Sequence, residues 1–339
     1  MLRLSRFEYL APRSLEEACS LLNEHEGKTR LLAGGTDLLP SMKQGLFAPE
    51  YVLDLRRVSG LDAIKGGSNG EVRIGALCTM TSIEESLAVR EDFPALAEAA
   101  SLVGAAGIRN MGTIGGNIAL ETRCLYFNQS RFWRKTIEKC IKLGGDVCHV
   151  VKGAKRCHAC FVADTIPILM ALDARVAIKG MEGERQCHLK EFYTKDGKAP
   201  NNLRSTDIVT EIILALPDGR SGSSYKKLRL RKAIDYPLAG AAAHVVMEGD
   251  TCGDARIVLG AVGPGPIEVT EAQDFLRGSH ITEEVIKEVG KMARKAAHPV
   301  ANMTNSPGYR RRMAGVFAGR ALREAAMRAR SRQAGKEVV

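Results

Sequence analysis

Strands and helices alternate along most of this chain, but between Asn117 and Asp164 the alternation stops for more than forty residues and then resumes. The fold must therefore tolerate a long loop inside a domain, not merely a linker between two. That stretch holds Cys124, Cys140, Cys148, Cys157 and Cys160, five of the nine cysteines. The N-terminus, MLRLSRFEYLAPRS, has no apolar leader run, and no segment reaches the roughly 18 apolar residues of a membrane span, so a cytoplasmic setting is expected. Thiols stay reduced there, and cysteines so grouped point to a soft metal centre ahead of disulfides.

At 339 residues and 45% hydrophobic, the chain can bury more than one core. Residues 14–25 read as a helix, with Leu15, Ala18, Leu21 and Leu22 at helical spacing behind a Ser cap and Glu17 three residues on. A strand at 29–33, a helix at 38–46 and a strand at 51–55 complete an α/β unit. A second unit runs from a strand at 72–75 through helices at 81–86 and 94–103. Beyond the insert it continues with a helix at 166–172 and strands at 175–178 and 207–216. Residues 217–224, rich in Gly, Ser and Pro, suit a linker to a further domain. That domain holds strands near 225–230, 239–247 and 255–262 and helices at 282–297 and 308–330. In the last helix Met313, Val316, Phe317, Ala321 and Leu322 share one side, with arginines around the rest.

The net charge of +10 comes from separated basic groups at 131–142, 152–156, 225–232 and 310–332. No nucleic-acid-binding signature accompanies them, so anionic ligands and protein partners explain the charge more simply.

Two loops carry a cofactor signal: Ala33-Gly34-Gly35-Thr36-Asp37-Leu38 and Thr113-Ile114-Gly115-Gly116-Asn117. Paired glycines let backbone amides approach an anion and a flanking Thr adds a hydroxyl, which suits a diphosphate; a tight turn is the simpler alternative for either loop alone. Neither is a GxGxxG fingerprint or a P-loop.

Together they are more specific. The chain resembles the FAD-binding (medium) subunits of the molybdenum hydroxylase family, which includes xanthine dehydrogenase and carbon monoxide dehydrogenase. The likeness rests on LLAGGTDLLP at 31–40, IRNMGTIGGNIA at 108–119, ADTIPILMALDARV at 163–176 and YKKLRLRKAIDYPLAGAAA at 225–243. It implies an α+β fold: two α/β subdomains, about 1–58 and 59–217, enclosing FAD in the manner of vanillyl-alcohol-oxidase-like proteins. A C-terminal domain at 218–339, with a three-stranded antiparallel sheet and helices, is implied as well. Carried over by position, the resemblance implies diphosphate contacts, mainly from main-chain amides, at Ala33, Gly34, Gly35, Thr36, Asp37 and Leu38 and at Thr113, Ile114, Gly115, Gly116 and Asn117. Val103 matches a position packed on the flavin. Asp164 matches an acid that binds the cofactor's hydroxyls, with a helix N-cap as its alternative role. Lys226 matches a lysine near the flavin, and Lys227 stays open because the spacing to Asp235 differs by a residue.

The insert, at 120–162, reads CLYFNQSRFWRKTIEKCIKLGGDVCHVVKGAKRCHAC from Cys124. From spacing alone either a cluster or a four-thiolate zinc site is open, although zinc ribbons usually supply two close cysteine pairs and this insert has one. The stretch is similar to the insert of the β subunit of 4-hydroxybenzoyl-CoA reductases, which implies a [4Fe-4S] cluster on Cys124, Cys140, Cys148 and Cys157 with Cys160 left over. Nearby Arg131, Arg134, Lys142, Lys152 and Lys155 can offset the cluster's charge, and Trp133 can shield it or fill a small core. His149 and His158 are assigned no ligand role. The dispersed Cys19, Cys78, Cys187 and Cys252 read as small core residues.

No acid–base or nucleophilic constellation is present, so the implied role is electron transfer and the site residues are cofactor contacts. The resemblance implies a dimer of heterotrimers with a large molybdopterin subunit and a small subunit carrying two [2Fe-2S] clusters, fed by ferredoxin, removing the phenolic hydroxyl of 4-hydroxybenzoyl-CoA. Two alternatives remain: the FAD subunit of an ordinary molybdenum hydroxylase acting on an aromatic or purine substrate, and a flavin-fold module with a structural zinc insert.

Overall fold

The expected Ser cap is in place: the Ser14 hydroxyl accepts from the Glu17 amide at 3.1 Å, and Glu17 Oε2 accepts from the Arg13 amide at 2.7 Å. Helix α1 (Leu15–Glu24) therefore starts where its apolar spacing begins. The structure is a computed structural model that describes residues 3–66, 69–217 and 219–337. Strands β1 (Glu8–Leu10), β2 (Thr29–Leu32) and β3 (Tyr51–Asp54) form a parallel sheet of order β1-β3-β2, because a helix carries the chain back before each new strand. The second of those helices is α2 (Leu38–Lys43), directly after the first glycine loop. Ala18, Cys19 and Leu22 of α1 share a core with Leu53 and Leu55.

The second sheet corrects the expected second α/β unit. Strands β4 (Ile64–Gly66), β5 (Glu71–Gly75), β6 (Arg175–Gly180), β7 (Gly183–His188) and β8 (Ile208–Ala215) lie in the order β4-β5-β8-β6-β7, every neighbouring pair antiparallel. Met181 and Glu182 alone connect β6 to β7, which admits a hairpin and no crossover. Its core joins Ile74, Val176 and Ile212 of the sheet to residues of α3 (Met80–Glu85), α5 (Pro94–Ser101), α7 (Ile114–Ile118) and α9 (Ile166–Ala171); Cys78 lies within it.

Two further expectations are corrected beyond residue 217. The second half of the expected linker is strand, since β9 (Ser221–Leu228) begins inside it and its Ser221, Ser223 and Ser224 are buried. The antiparallel sheet has four strands: β9, β10 (Ala239–Glu248), β11 (Thr251–Gly260) and the two-residue β12 (Ile267–Glu268). Alanines on β10 serve both faces. Ala239, Ala241 and Ala243 join the core of α12 (Glu283–Ala296) and α13 (Pro307–Glu337), while Ala242 packs with Tyr225 and Val258 in the core of the five-stranded sheet. Gly222 lets α13 lie directly on β9, because a Cβ there would be 2.2 Å from Ala325 O. The apolar side of α13 is Ala314, Phe317, Ala318, Ala321 and Leu322, whereas Val316 is exposed. Among the described residues no helix is long and apolar enough to cross a membrane.

The insert is indeed irregular, with one turn of helix at Arg131–Arg134 and a 3-10 turn at Ile141–Leu143. Its ends meet in an antiparallel bridge, Arg123 and Cys160 exchanging backbone hydrogen bonds of 2.7 Å each.

Candidate functional site

Both glycine loops open on one cavity of about 690 Å³, within the roughly 300–1,000 Å³ usual for cofactor pockets. All the expected cofactor contacts line it except Ile114 and Lys226. Ile114 points into the core of the antiparallel region and is fully buried. Lys226 lies on the opposite side of β9 from its neighbour and pairs with Glu324 of α13. Lys227 instead contacts Asp164, a residue of the cavity wall.

The two loops differ in what they offer an anion. A Cβ on Gly34 would lie 1.8 Å from Met111 O, so glycine is required where the loops touch, and Gly35 adopts a φ of +70°. Among the described residues the amides of Gly34, Gly35, Thr36 and Asp37 make no hydrogen bond within the chain. In the second loop the amides are taken: Ile114 N–H by Cys78 O at 2.9 Å, Gly115 N–H by Ala76 O at 2.8 Å, Asn117 N–H by Thr113 O at 2.9 Å, and Gly116 N–H by the Thr113 hydroxyl at 3.2 Å. This corrects the expectation that amides dominate in both. The second loop has side chains to offer instead. The Thr113 hydroxyl keeps its proton to donate, and Asn117, whose Oδ1 accepts from Thr165 Oγ1 at 2.7 Å, keeps Nδ2.

Asp164 lines the same cavity and is 3% exposed. Its Oδ1 accepts from the Tyr225 hydroxyl at 2.9 Å and its Oδ2 from Lys227 Nζ at 2.8 Å. Lys227 Nζ also donates to Leu102 O and Asp235 O, at 2.8 and 2.9 Å, which uses all three of its protons. Asp164 does not cap α9; the capping position is Thr165. Burial pushes the Asp164 carboxyl up to about 6, against the pull of Lys227 and Tyr225, so it is ionised at neutral pH. A braced carboxylate beside a cavity is an acceptor for hydroxyl groups.

In the insert, burial raises the Cys124 thiol, and the nearby Cys140 and Cys148 raise it further, while N–H groups of Tyr126 and Phe127 counter them. Cys157 is pushed up to about 11 by burial; the Ala159 amide donates to its sulfur at 3.4 Å, and Lys142 and Cys124 are close enough to act on it. Asn128 Oδ1 accepts from the Cys124 amide at 2.9 Å, but its Nδ2 is buried without a partner, as is Arg123 Nε. The orphaned Asn128 donor, beside Cys124, fits a negatively charged group among the thiols. A zinc ion with Zn–S bonds of about 2.3 Å would draw its sulfurs within roughly 4 Å of one another. Among the described residues no three His, Cys, Asp or Glu side chains converge in that way.

Of the expected counter-charges, Lys142 is nearly buried and already bonded to Glu121, Thr122 and Gly197 O, and Arg134 holds the carbonyls of Gln44 and Gly45. Arg131, Lys152 and Lys155 are exposed. Trp133 is partly buried beside Tyr126, which stacks on His149. His149 Nε2 bonds Glu138 O at 2.8 Å.

Sequence reasoning missed Arg123. It forms an ion pair with Asp37 of the first loop and lies 4.9 Å from the Tyr236 ring centroid, linking insert to cavity. Ile234 and Tyr236, between β9 and β10, and Arg204 also line the cavity. The first two lie within the quoted AIDYP run; Arg204 carried no signal.

Residues 5–217 match a family described as the FAD binding domain in molybdopterin dehydrogenase, and residues 223–325 match the CO dehydrogenase flavoprotein C-terminal domain. The chain is 29% identical to the nicotinate dehydrogenase FAD-subunit of Eubacterium barkeri, over 92% of this chain and 93% of that one. It is 34% identical to the aldehyde oxidoreductase FAD-binding subunit of Escherichia coli, over 81% of this chain and 86% of that one. Among solved structures it is similar to carbon monoxide dehydrogenase from Hydrogenophaga pseudoflava, with a TM-score of 0.81 at 28% identity, covering 96% of this chain and 99% of that one. These names are those of dehydrogenases and an aldehyde oxidoreductase, and they do not extend to the reductase suggested by the insert.

Proposed function

The chain belongs to the FAD-binding medium subunits of the molybdenum hydroxylase family, and from that premise we propose that it is the flavin-carrying electron-transfer subunit of a molybdenum enzyme acting on an aromatic or purine substrate. The substrate and the molybdopterin belong to a large subunit, and two [2Fe-2S] clusters to a small one, in a dimer of heterotrimers. The observation that carries this reading is the cavity between the glycine loops. Four unpaired amides, Gly34 to Asp37, are free there to bind an anion, and Asp164, fixed by Lys227 and Tyr225, is an acceptor for hydroxyls in the same cavity. A bound flavin exchanges electrons with both one-electron and two-electron carriers. Apolar Val103, Ile108 and Ile234 limit water around it. No His or Cys lines the cavity among the described residues, so the flavin is held without a covalent bond. Acid precipitation of the purified protein should release FAD into the supernatant; protein that neither holds nor takes up FAD overturns the proposal.

The cysteine insert favours a finer reading of the same subunit. It holds a [4Fe-4S] cluster on Cys124, Cys140, Cys148 and Cys157, and the complex is a 4-hydroxybenzoyl-CoA reductase-like enzyme that draws electrons from ferredoxin toward molybdenum. The nearness of Cys140 and Cys148 to Cys124, the amide held to Cys157 and the orphaned Asn128 donor support it. Iron and labile sulfide in anaerobically purified protein are the expected result. Zinc without sulfide would mark a structural insert, and neither would return the subunit to an ordinary hydroxylase.

A further inference from the structure

Arg310, in the first turn of α13, is the largest fully buried side chain of the protein, and among the described residues no carboxylate pairs with it. Its guanidinium donates through Nε to Leu238 O at 3.0 Å, through Nη1 to Val300 O at 3.0 Å and Asn302 Oδ1 at 3.3 Å, and through Nη2 to Ala261 O at 2.6 Å. Nη2 also lies 3.5 Å from Cys160 Sγ and 3.8 Å from Met303 Sδ. A buried cation without an anion costs several kcal/mol, so the carbonyls here offset a charge that the fold alone does not require.

Asn302, held by Arg310, grips the insert at both ends. Its carbonyl accepts from the Leu125 amide at 2.9 Å, and its Nδ2 donates to His158 O at 2.5 Å. Leu125 follows Cys124, and His158 follows Cys157. Cys160, one bridge away through Arg123, accepts from Arg310 itself. We propose that Arg310 and Asn302 of the C-terminal domain are positioning residues for the metal centre of the insert, setting the separation of Cys124 and Cys157 from one anchor, with Cys160 an acceptor for that anchor and not a ligand. The inference rests on the reading of the insert as a cluster site. An irregular loop cannot by itself hold ligands within the roughly 0.5 Å that a working site needs, and this anchor supplies the missing rigidity. Its positive charge lies 3.5 Å from Cys160 Sγ, three residues along the chain from Cys157.

The test uses the whole protein purified without oxygen. Asn302→Asp keeps the main-chain bond to Leu125 and gives Arg310 a carboxylate, but removes the donor to His158. Iron retained against a chelator should fall about 10–100-fold, as for other outer partners of metal ligands, with FAD content unchanged and an altered electron paramagnetic resonance spectrum of the reduced cluster. Arg310→Met should lower the cluster's reduction potential and Arg310→Lys restore most of it, the flavin potential staying in place. Wild-type iron, spectrum and potential in all three variants would overturn the proposal, as would parallel loss of flavin and iron. If the unsubstituted protein holds no iron and sulfide, the cluster reading itself fails, which is a different result from indifferent variants of an iron-containing protein.

Discussion

The flavin cleft and the cysteine insert share Arg123, whose side chain reaches Asp37 in one and whose backbone closes the other, yet they are prepared for their cofactors differently. The cleft is walled by helix starts and strand ends, and its buried Asp164 has both oxygens bonded before any ligand arrives. The insert has almost no regular structure, and burial favours the protonated form of its Cys124 and Cys157. A site made from the fold persists without its cofactor; a site made from loop ligands depends on the charge of what it binds. Loss of one cofactor should therefore leave the other.

The strongest test is at the thiols. Cys124→Ser or Cys157→Ser should lose nearly all iron and labile sulfide while FAD stays at the level of the unsubstituted protein, and Cys160→Ser should keep both. Iron kept in Cys157→Ser and lost in Cys160→Ser would show the ligand set shifted by one CxxC step. In the cleft, Asp164→Asn leaves Lys227 buried without its anion, a change that typically costs about 3–5 kcal/mol. Thermal unfolding and FAD titration should show lower stability and weaker binding with iron unaffected; loss of iron as well would break the separation of the two regions.

Gly35→Ala forces a side chain into the left-handed region at about 1–2 kcal/mol and should weaken FAD binding through the first loop, again sparing iron. The smallest effect is with pH. Asp164 titrates near 6 in the folded protein against an ordinary 3.8, so between these values the native state binds the extra proton, and this group's contribution to stability rises as pH falls. Flavin binding should move the other way, weakening below about pH 6 as the acceptor is protonated. In Asp164→Asn neither trend should remain.

Much of this was legible in the chain. The glycine loops, Asp164 and the strands now seen as β10 and β11 carry local signals: paired glycines, an acid before an apolar helix, runs of small and β-branched residues. What could not be read depends on register or on distant partners. Whether Lys226 or Lys227 faces Asp164 is decided by which face of β9 turns inward, and Tyr225, also buried, obscures the alternation. Mostly exposed and polar, β7 gave no period-two pattern, so the hairpin that makes its sheet antiparallel left no trace. The terminal arginines show in sequence only as polar residues around a helix, yet Arg310 is buried against Cys160, 150 positions away, and Arg328 ties α13 to Glu98 of α5. Which amides in a glycine loop are already engaged is likewise a property of the neighbouring strand ends.

The bridge between Arg123 and Cys160 has an evolutionary consequence. Because the ends of the insert leave the domain side by side, its length is nearly free of thermodynamic penalty, each doubling of a flexible loop costing only about 0.6 kcal/mol. A lineage can lengthen, shorten or exchange the segment beyond that bridge while the flavin fold beneath stays under its own selection, so a redox centre can be gained by insertion without redesigning the host.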